Sequence, residues 1–162
     1  MTRKSVDFRI RMAEPEEAAT IASILYEAFS EYRSSYTHQA FTATTLTSDQ
    51  VYRRMDEGPI WVAMRGETIV GTVSGVSWGE DFYIRSLAVL SSARSQGIGG
   101  MLMRSAEKFA QERGHKRLIL NTTPFLTAAI RLYENLGFQF SSEGAQDLFG
   151  TPLLKMVKVL EQ

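Results

Sequence analysis

The sequence predicts an α/β protein built on a single mixed sheet with helices on both faces, and three observations predict it. The chain has 162 residues, enough for one compact core and few for two, so residues 1–162 are read as a single domain. Its hydrophobic pattern switches between periods of two and 3.6 in the order β-α-α-β-β-β-α-β-α-β-β. The early strands follow one another through short turns, as antiparallel hairpins do, whereas the later ones are separated by helices, as in a βαβ unit.

Each element has its own signal. Phe8-Arg9-Ile10-Arg11 alternates like a short strand. Pro15-Glu16-Glu17 starts a helix that runs to Phe29, with Pro in the first turn and acidic residues where the helix dipole favours them. Ala18, Ile21, Ala22, Leu25, Ala28 and Phe29 form its apolar stripe. Residues 30–46 are polar, aromatic and hydroxyl-rich without a clear period. A short helix follows a Thr47 or Ser48 cap and ends near Gly58-Pro59. Residues 60–64 and 68–76 read as strands around an Arg65-Gly66-Glu67 turn, and 82–90 as a third. From Gly97 to Arg113 the pattern is helical, with Ile98, Leu102, Ala106, Phe109 and Ala110 on one face and Gly114 as the C-terminal cap. A strand at 117–121, a helix at 126–136 ending at Gly137, and strands at 138–141 and 152–160 complete the order.

Composition narrows the partners. Eighteen basic residues balance eighteen acidic ones, which is not the footprint of a nucleic-acid binder or a polybasic membrane patch. No apolar run approaches the roughly 18 residues of a membrane span. The N-terminal basic residues lack an apolar stretch behind them, so no secretory signal is read there. Without cysteine there is no disulfide, thiolate metal site or cysteine nucleophile, and a cytoplasmic location is expected. His38 and His115 are far apart, so no metal centre is expected. A small-molecule partner remains.

The chemistry begins at Arg94-Ser95-Gln96-Gly97-Ile98-Gly99-Gly100, between the third strand and the long helix. A helix N-terminus has unpaired N–H groups and partial positive charge, and glycines let a phosphate approach them. Glycine within a helix costs roughly 1 kcal/mol relative to alanine, which a stabilising cap alone would not justify. A dinucleotide fingerprint fails because Met103 stands where its third glycine belongs, and no Gly-Lys-Ser/Thr of a Walker A loop is present.

Instead, residues 87–99, Leu-Ala-Val-Leu-Ser-Ser-Ala-Arg-Ser-Gln-Gly-Ile-Gly, resemble the acyl-CoA signature of the GNAT superfamily of N-acetyltransferases. Ser91 stands where proline is frequent and Ser95 where glycine is frequent; neither removes an N–H donor. Downstream, Ala129-Ile130-Arg131-Leu132-Tyr133-Glu134-Asn135-Leu136-Gly137-Phe138 resembles that family's Ala-Ile-x-Leu-Tyr-x-x-x-Gly-Phe segment. The resemblance implies a largely antiparallel sheet with a central parallel strand pair that splays apart to admit acetyl-CoA. Backbone groups at Leu87, Ala88 and Val89 would hold the pantetheine arm, one N–H polarising the acetyl carbonyl, and Arg94, Ser95, Gln96, Gly97, Ile98, Gly99 and Gly100 the pyrophosphate. Asn121 and Thr127 are further candidates for cofactor contact, Thr127 standing where relatives often carry Asn.

Tyr133 is the residue expected to act as general acid to the departing CoA thiolate, since a phenol with pKa near 10 is protonated at neutral pH. From spacing alone it could equally be a core tyrosine. Glu80 is a candidate base for the acceptor amine, with Asp81 and Glu27 as alternatives, although each also fits a solvated surface position. Tyr32, Arg33, Tyr36, His38 and Phe41 could line an acceptor pocket, or lie in a surface loop with an unrecognised short helix. The resemblance therefore implies direct acetyl transfer to a primary amine, with no metal, and is compatible with a homodimer. The rival is a non-catalytic acyl-CoA-binding sensor, which would need the glycine turn but not Tyr133.

Overall fold

The computed structural model describes residues 7–143 and 146–161. Eight strands form the sheet: β1 (Phe8–Met12), β2 (Ile60–Arg65), β3 (Thr68–Trp78), β4 (Asp81–Val89), β5 (Arg117–Thr122), β6 (Gln139–Phe140), β7 (Gln146–Leu148) and β8 (Thr151–Val159). Their order is β1-β2-β3-β4-β5-β8-β6, with β7 paired to β8. β4 and β5 run parallel, while the other pairings are antiparallel. The mixed, largely antiparallel sheet with a central parallel pair is thus the architecture the sequence predicts.

The helices α1 (Ala18–Ser30), α2 (His38–Thr44), α3 (Ser48–Arg54), α4 (Ile98–Glu112) and α5 (Thr127–Asn135) divide between the two faces. On one side Ile98, Leu102, Met103, Ala106 and Ala110 of α4 and Tyr133 of α5 pack against Val73, Phe82, Ile84, Leu118 and Leu120. On the other, Ile21, Ile24, Leu25 and Ala28 of α1 and Val51 of α3 cover Ile60, Val62, Met64 and Ala88. Period-2 alternation assigns the two sets of strand side chains to these faces. Phe82, buried outright, illustrates the fit: it packs on Trp61, Phe109 and His115, and a Cβ at Gly75 would come within 2.3 Å of its ring. No helix among the described residues is long and apolar enough to cross a membrane.

Two elements differ from the sequence reading. α2 lies inside the stretch without a period; the Thr37 hydroxyl caps it by accepting from the Ala40 N–H at 3.2 Å, and it buries only Ala40 and Phe41. A helix of seven residues shows too few turns for a periodic stripe to stand out. The hairpin β7–β8 also goes unread. Phe149 and Gly150 both have positive φ, 48° and 92°, the conformation of a tight hairpin turn, and Phe in the first position gives no turn signal.

Candidate active site

The parallel pair β4–β5 is joined only at Asp81–Arg117, Phe82–Leu118 and Tyr83–Ile119. Beyond Tyr83, β4 bonds only to β3, and beyond Ile119, β5 only to β8. The inner edges of both strands are therefore left open, as a wedge. The β3–β4 register locates its cause. In the β3–β4 ladder Ser74 faces Arg85 and Thr72 faces Ala88, so Val73 alone opposes Ser86 and Leu87. That bulge, with Ser86 at φ 58°, bends β4 away from β5 and re-aims Leu87 and Val89. The unpaired edge is a place where an extended chain can add as a strand.

At the wide end, the Ser91–Ala93 turn leads to α4. Gly97 is its N-cap at φ 78°, in the left-handed region that glycine adopts without strain, and no side chain caps the helix. A Cβ at Gly97 would touch nothing within 4 Å, so the surface at the start of α4 is open at that residue. Gly99 and Gly100 have packing reasons as well. A Cβ on Gly99 would sit 3.0 Å from Leu132 of α5, and one on Gly100 3.2 Å from the Arg104 guanidinium. Arg94 is engaged at both ends of its guanidinium: Nε donates to the Val89 carbonyl at 3.3 Å, and Nη2 pairs with Glu31 just past α1. Ser95 and Gln96 are exposed between them.

Tyr133 lies across the wedge on α5. It is 8% exposed, its ring centroid 5.9 Å from that of Phe138, and burial, with the nearby Tyr36 phenol adding to it, pushes its ionisation well above the usual tyrosine range. Tyr36 reaches the same place from the segment after α1. Its ring meets Phe125 edge-on at 4.8 Å, and burial raises its phenol to about 12. Thr123, beyond the end of β5, lies beside that phenol and partly offsets the rise, yet its own buried hydroxyl reaches no hydrogen-bonding geometry with any described group. Two protonated phenols and an unpartnered hydroxyl thus converge at the open end of β5.

The structure brings Leu87, Ala88, Val89, Gly97 to Gly100, Asn121 and Tyr133 to one wedge, although the Ala88 side chain turns into the core on the α1 face. Asn121 donates to the Tyr83 hydroxyl at 3.2 Å across the last rung, and Thr127 is an exposed residue at the start of α5. Glu80 is not brought there. It is exposed beyond the closed end of β4, paired with Lys116 at 3.3 Å, roughly 23 Å of strand from Leu87 at about 3.3 Å per residue. Asp81 is held below its ordinary value by a two-bond pairing with Arg117, and Glu27 is exposed on α1. No group of three or more His, Cys, Asp or Glu among the described residues could hold a metal ion.

Sequence reasoning did not single out Arg54, Arg85, Ser86 or Thr123. One signal was available: Arg85 is a lone cation inside the strand Phe-Tyr-Ile-Arg-Ser-Leu-Ala-Val.

Comparison with known proteins agrees with this geometry. Residues 20–138 match the Acetyltransferase (GNAT) family. The chain is 36% identical over 85 residues to N-acetyltransferase 8B of Rattus norvegicus, covering 49% of this chain and 38% of that protein. It therefore spans well under half the length of that curated relative. Among solved structures, the ribosomal-protein-alanine N-acetyltransferase of Brucella melitensis superposes with a TM-score of 0.74 at 26% identity, covering 94% of this chain and 99% of that one. The paia N-acetyltransferase of Thermoplasma acidophilum, solved with coenzyme A, shares the fold at a TM-score of 0.80 and 15% identity, over 95% and 99% of the two chains. With a family match covering most of its length, this chain belongs to the GNAT family of acetyltransferases.

Proposed function

We propose that this chain is an acetyl-CoA-dependent N-acetyltransferase that passes acetyl directly to a primary amine of a small molecule or peptide. The open wedge between β4 and β5, flanked by an uncapped helix N-terminus and a buried tyrosine, is the observation that carries the reading. Acetyl-CoA supplies an acyl group already activated as a thioester. The first-turn N–H groups of α4 and the Arg94 guanidinium suit a pyrophosphate, with the exposed Ser95 and Gln96 at the rim. Backbone groups of Leu87 and Val89 on the free edge of β4 suit the amides of a pantetheine arm, and one N–H serves as an oxyanion donor.

Tyr133 holds a proton at its phenolic oxygen for the departing thiolate. A phenol whose pKa is raised is protonated at neutral pH, so a proton is present where the thiolate departs. Phe138 beside Tyr133 and Phe125 beside Tyr36 supply apolar walls that keep water away from the thioester, which favours transfer to an amine over hydrolysis. The amine reaches the wedge from the side of α1 and α3, opposite α4 and α5, beside Tyr36 and Thr123. The described residues share one continuous sheet, and we read the chain as one domain on that basis.

The test is thermal. Acetyl-CoA at a hundred times its Kd should add about 2.7 kcal/mol, which for a chain of this size raises Tm by roughly 5–11 °C. Gly97→Val, which forces a branched side chain to φ 78°, should abolish the shift. An unchanged wild-type melting curve overturns the reading.

A further inference from the structure

We infer that the acceptor amine carries a carboxylate, and that Arg54 and Arg85 hold it at the mouth of the wedge. This rests on the acetyltransferase reading of the same site and names the acceptor that reading leaves open.

Arg85 stands two residues past the last β4–β5 rung, on the face covered by α3. Its Nη2 pairs with Glu57 at 3.1 Å, and its guanidinium carbon lies 5.9 Å from the centre of the Tyr83 ring. Its Nε is buried and has no hydrogen-bond partner. An N–H in that condition has lost its water and gained nothing in exchange. Arg54, the last residue of α3, donates from Nη1 to the Ser86 hydroxyl at 2.7 Å, and no carboxylate among the described residues lies within ion-pairing distance of it. Burial and the neighbouring Arg85 charge pull its pKa down to about 10.

Among the described residues, the one carboxylate near these two guanidiniums is Glu57, which pairs with Arg85 alone and whose side chain is 52% exposed. Docking α3 on the bulge explains the Arg54–Ser86 bond alone. It does not explain why two like charges are half-buried together, since neutral side chains would dock α3 without that repulsion. The excess is one positive charge, which a monoanionic carboxylate neutralises and a phosphate, carrying nearly two, exceeds. The free Nε of Arg85 and the remaining N–H groups of Arg54 suit the two oxygens of one carboxylate. Ser86 joins this pair to the bulge, directly before Leu87, so an anion held there lies beside the reacting end of the wedge.

The test measures CoA thiol released from acetyl-CoA by each of the twenty common amino acids, its carboxamide and its decarboxylated amine, with ethanolamine phosphate alongside. The preferred acid should exceed its amide by about 10- to 100-fold in kcat/KM, chiefly through KM, the size of one lost charge-assisted hydrogen bond. Arg85→Gln and Arg54→Gln should each bring that ratio close to one while the acetyl-CoA thermal shift persists, which shows the variants folded. Amides turned over as well as acids, or a ratio that survives in both variants, overturns the inference. So does ethanolamine phosphate as the better acceptor, and so does failure of every acid in protein that acetyl-CoA stabilises. A wild-type protein that acetyl-CoA does not stabilise overturns the donor reading instead, and the inference with it.

Discussion

Replacing Tyr133 with phenylalanine removes one oxygen and leaves the ring where it packs, 5.9 Å from Phe138 and against the α4 core. No hydrogen bond to that oxygen is formed by the described residues, so the folded state loses no partner, and stability at neutral pH should change by less than about 1 kcal/mol. Turnover should behave differently. A positioned general acid contributes about 10²- to 10⁴-fold, so kcat should fall by at least roughly a hundredfold, or about 2.7 kcal/mol of barrier. The Kd for acetyl-CoA should be nearly unchanged, because the contacts proposed for its pyrophosphate and pantetheine lie on α4 and β4. The pH behaviour adds a second reading. The folded phenol ionises above its ordinary value, so wild type keeps its donor protonated as pH rises through about 10 and shows no alkaline loss from Tyr133 below that pH. The unfolded chain does ionise there. The stability held by this group is complete below about pH 10 and is lost as pH rises toward the folded value, and the phenylalanine variant is spared that loss. Steady-state kinetics by thiol release, equilibrium binding of acetyl-CoA and chemical denaturation at pH 7 and 10.5 measure all three. A variant that turns over within threefold of wild type refutes the assignment of the acid.

Two more substitutions probe the surroundings. Glu31→Gln frees Arg94 from a half-exposed ion pair of the kind worth about 0.2–1 kcal/mol, so acetyl-CoA should bind about 1.5- to 5-fold tighter by calorimetry; tenfold weaker binding would show that Glu31 positions Arg94 instead. Gly75→Ala puts a Cβ 2.3 Å from the fully buried Phe82 ring, an overpacking that should cost about 1–3 kcal/mol and lower Tm by roughly 2–12 °C, and an unchanged Tm would show that the ring has room to move.

Most of the fold and the glycine turn of the proposed donor site were legible in the sequence because they rest on local rules. Strand and helix periods, the Pro15 start of the first helix, the Thr47 or Ser48 cap of α3 and the Gly97 turn before α4 each depend on a few adjacent residues, and the boundaries they predict fall within one or two residues of those observed, except that Pro15–Glu17 form a 3-10 turn before α1 starts at Ala18 and that α3 ends earlier, at Arg54. Tyr133 was proposed from its motif, not its spacing, which fitted a core residue equally well. α2 escaped for want of length, and the Phe149–Gly150 turn for want of a turn residue in its first position.

The sequence by itself determined the element order except for α2 and β7, the family and the helix N-terminus suited to a pyrophosphate. Only the tertiary structure decided where β4 leaves β5, because a bulge at Ser86 is a mismatch between two strands and no single strand carries it. Only the structure moved Glu80 to the closed end of β4 and brought Tyr36, Thr123 and Tyr133 together across 97 positions of chain, from 36 to 133. Arg54 and Arg85 likewise become one cationic site through the docking of α3 on β4, since the energy of a charge depends on what surrounds it in space.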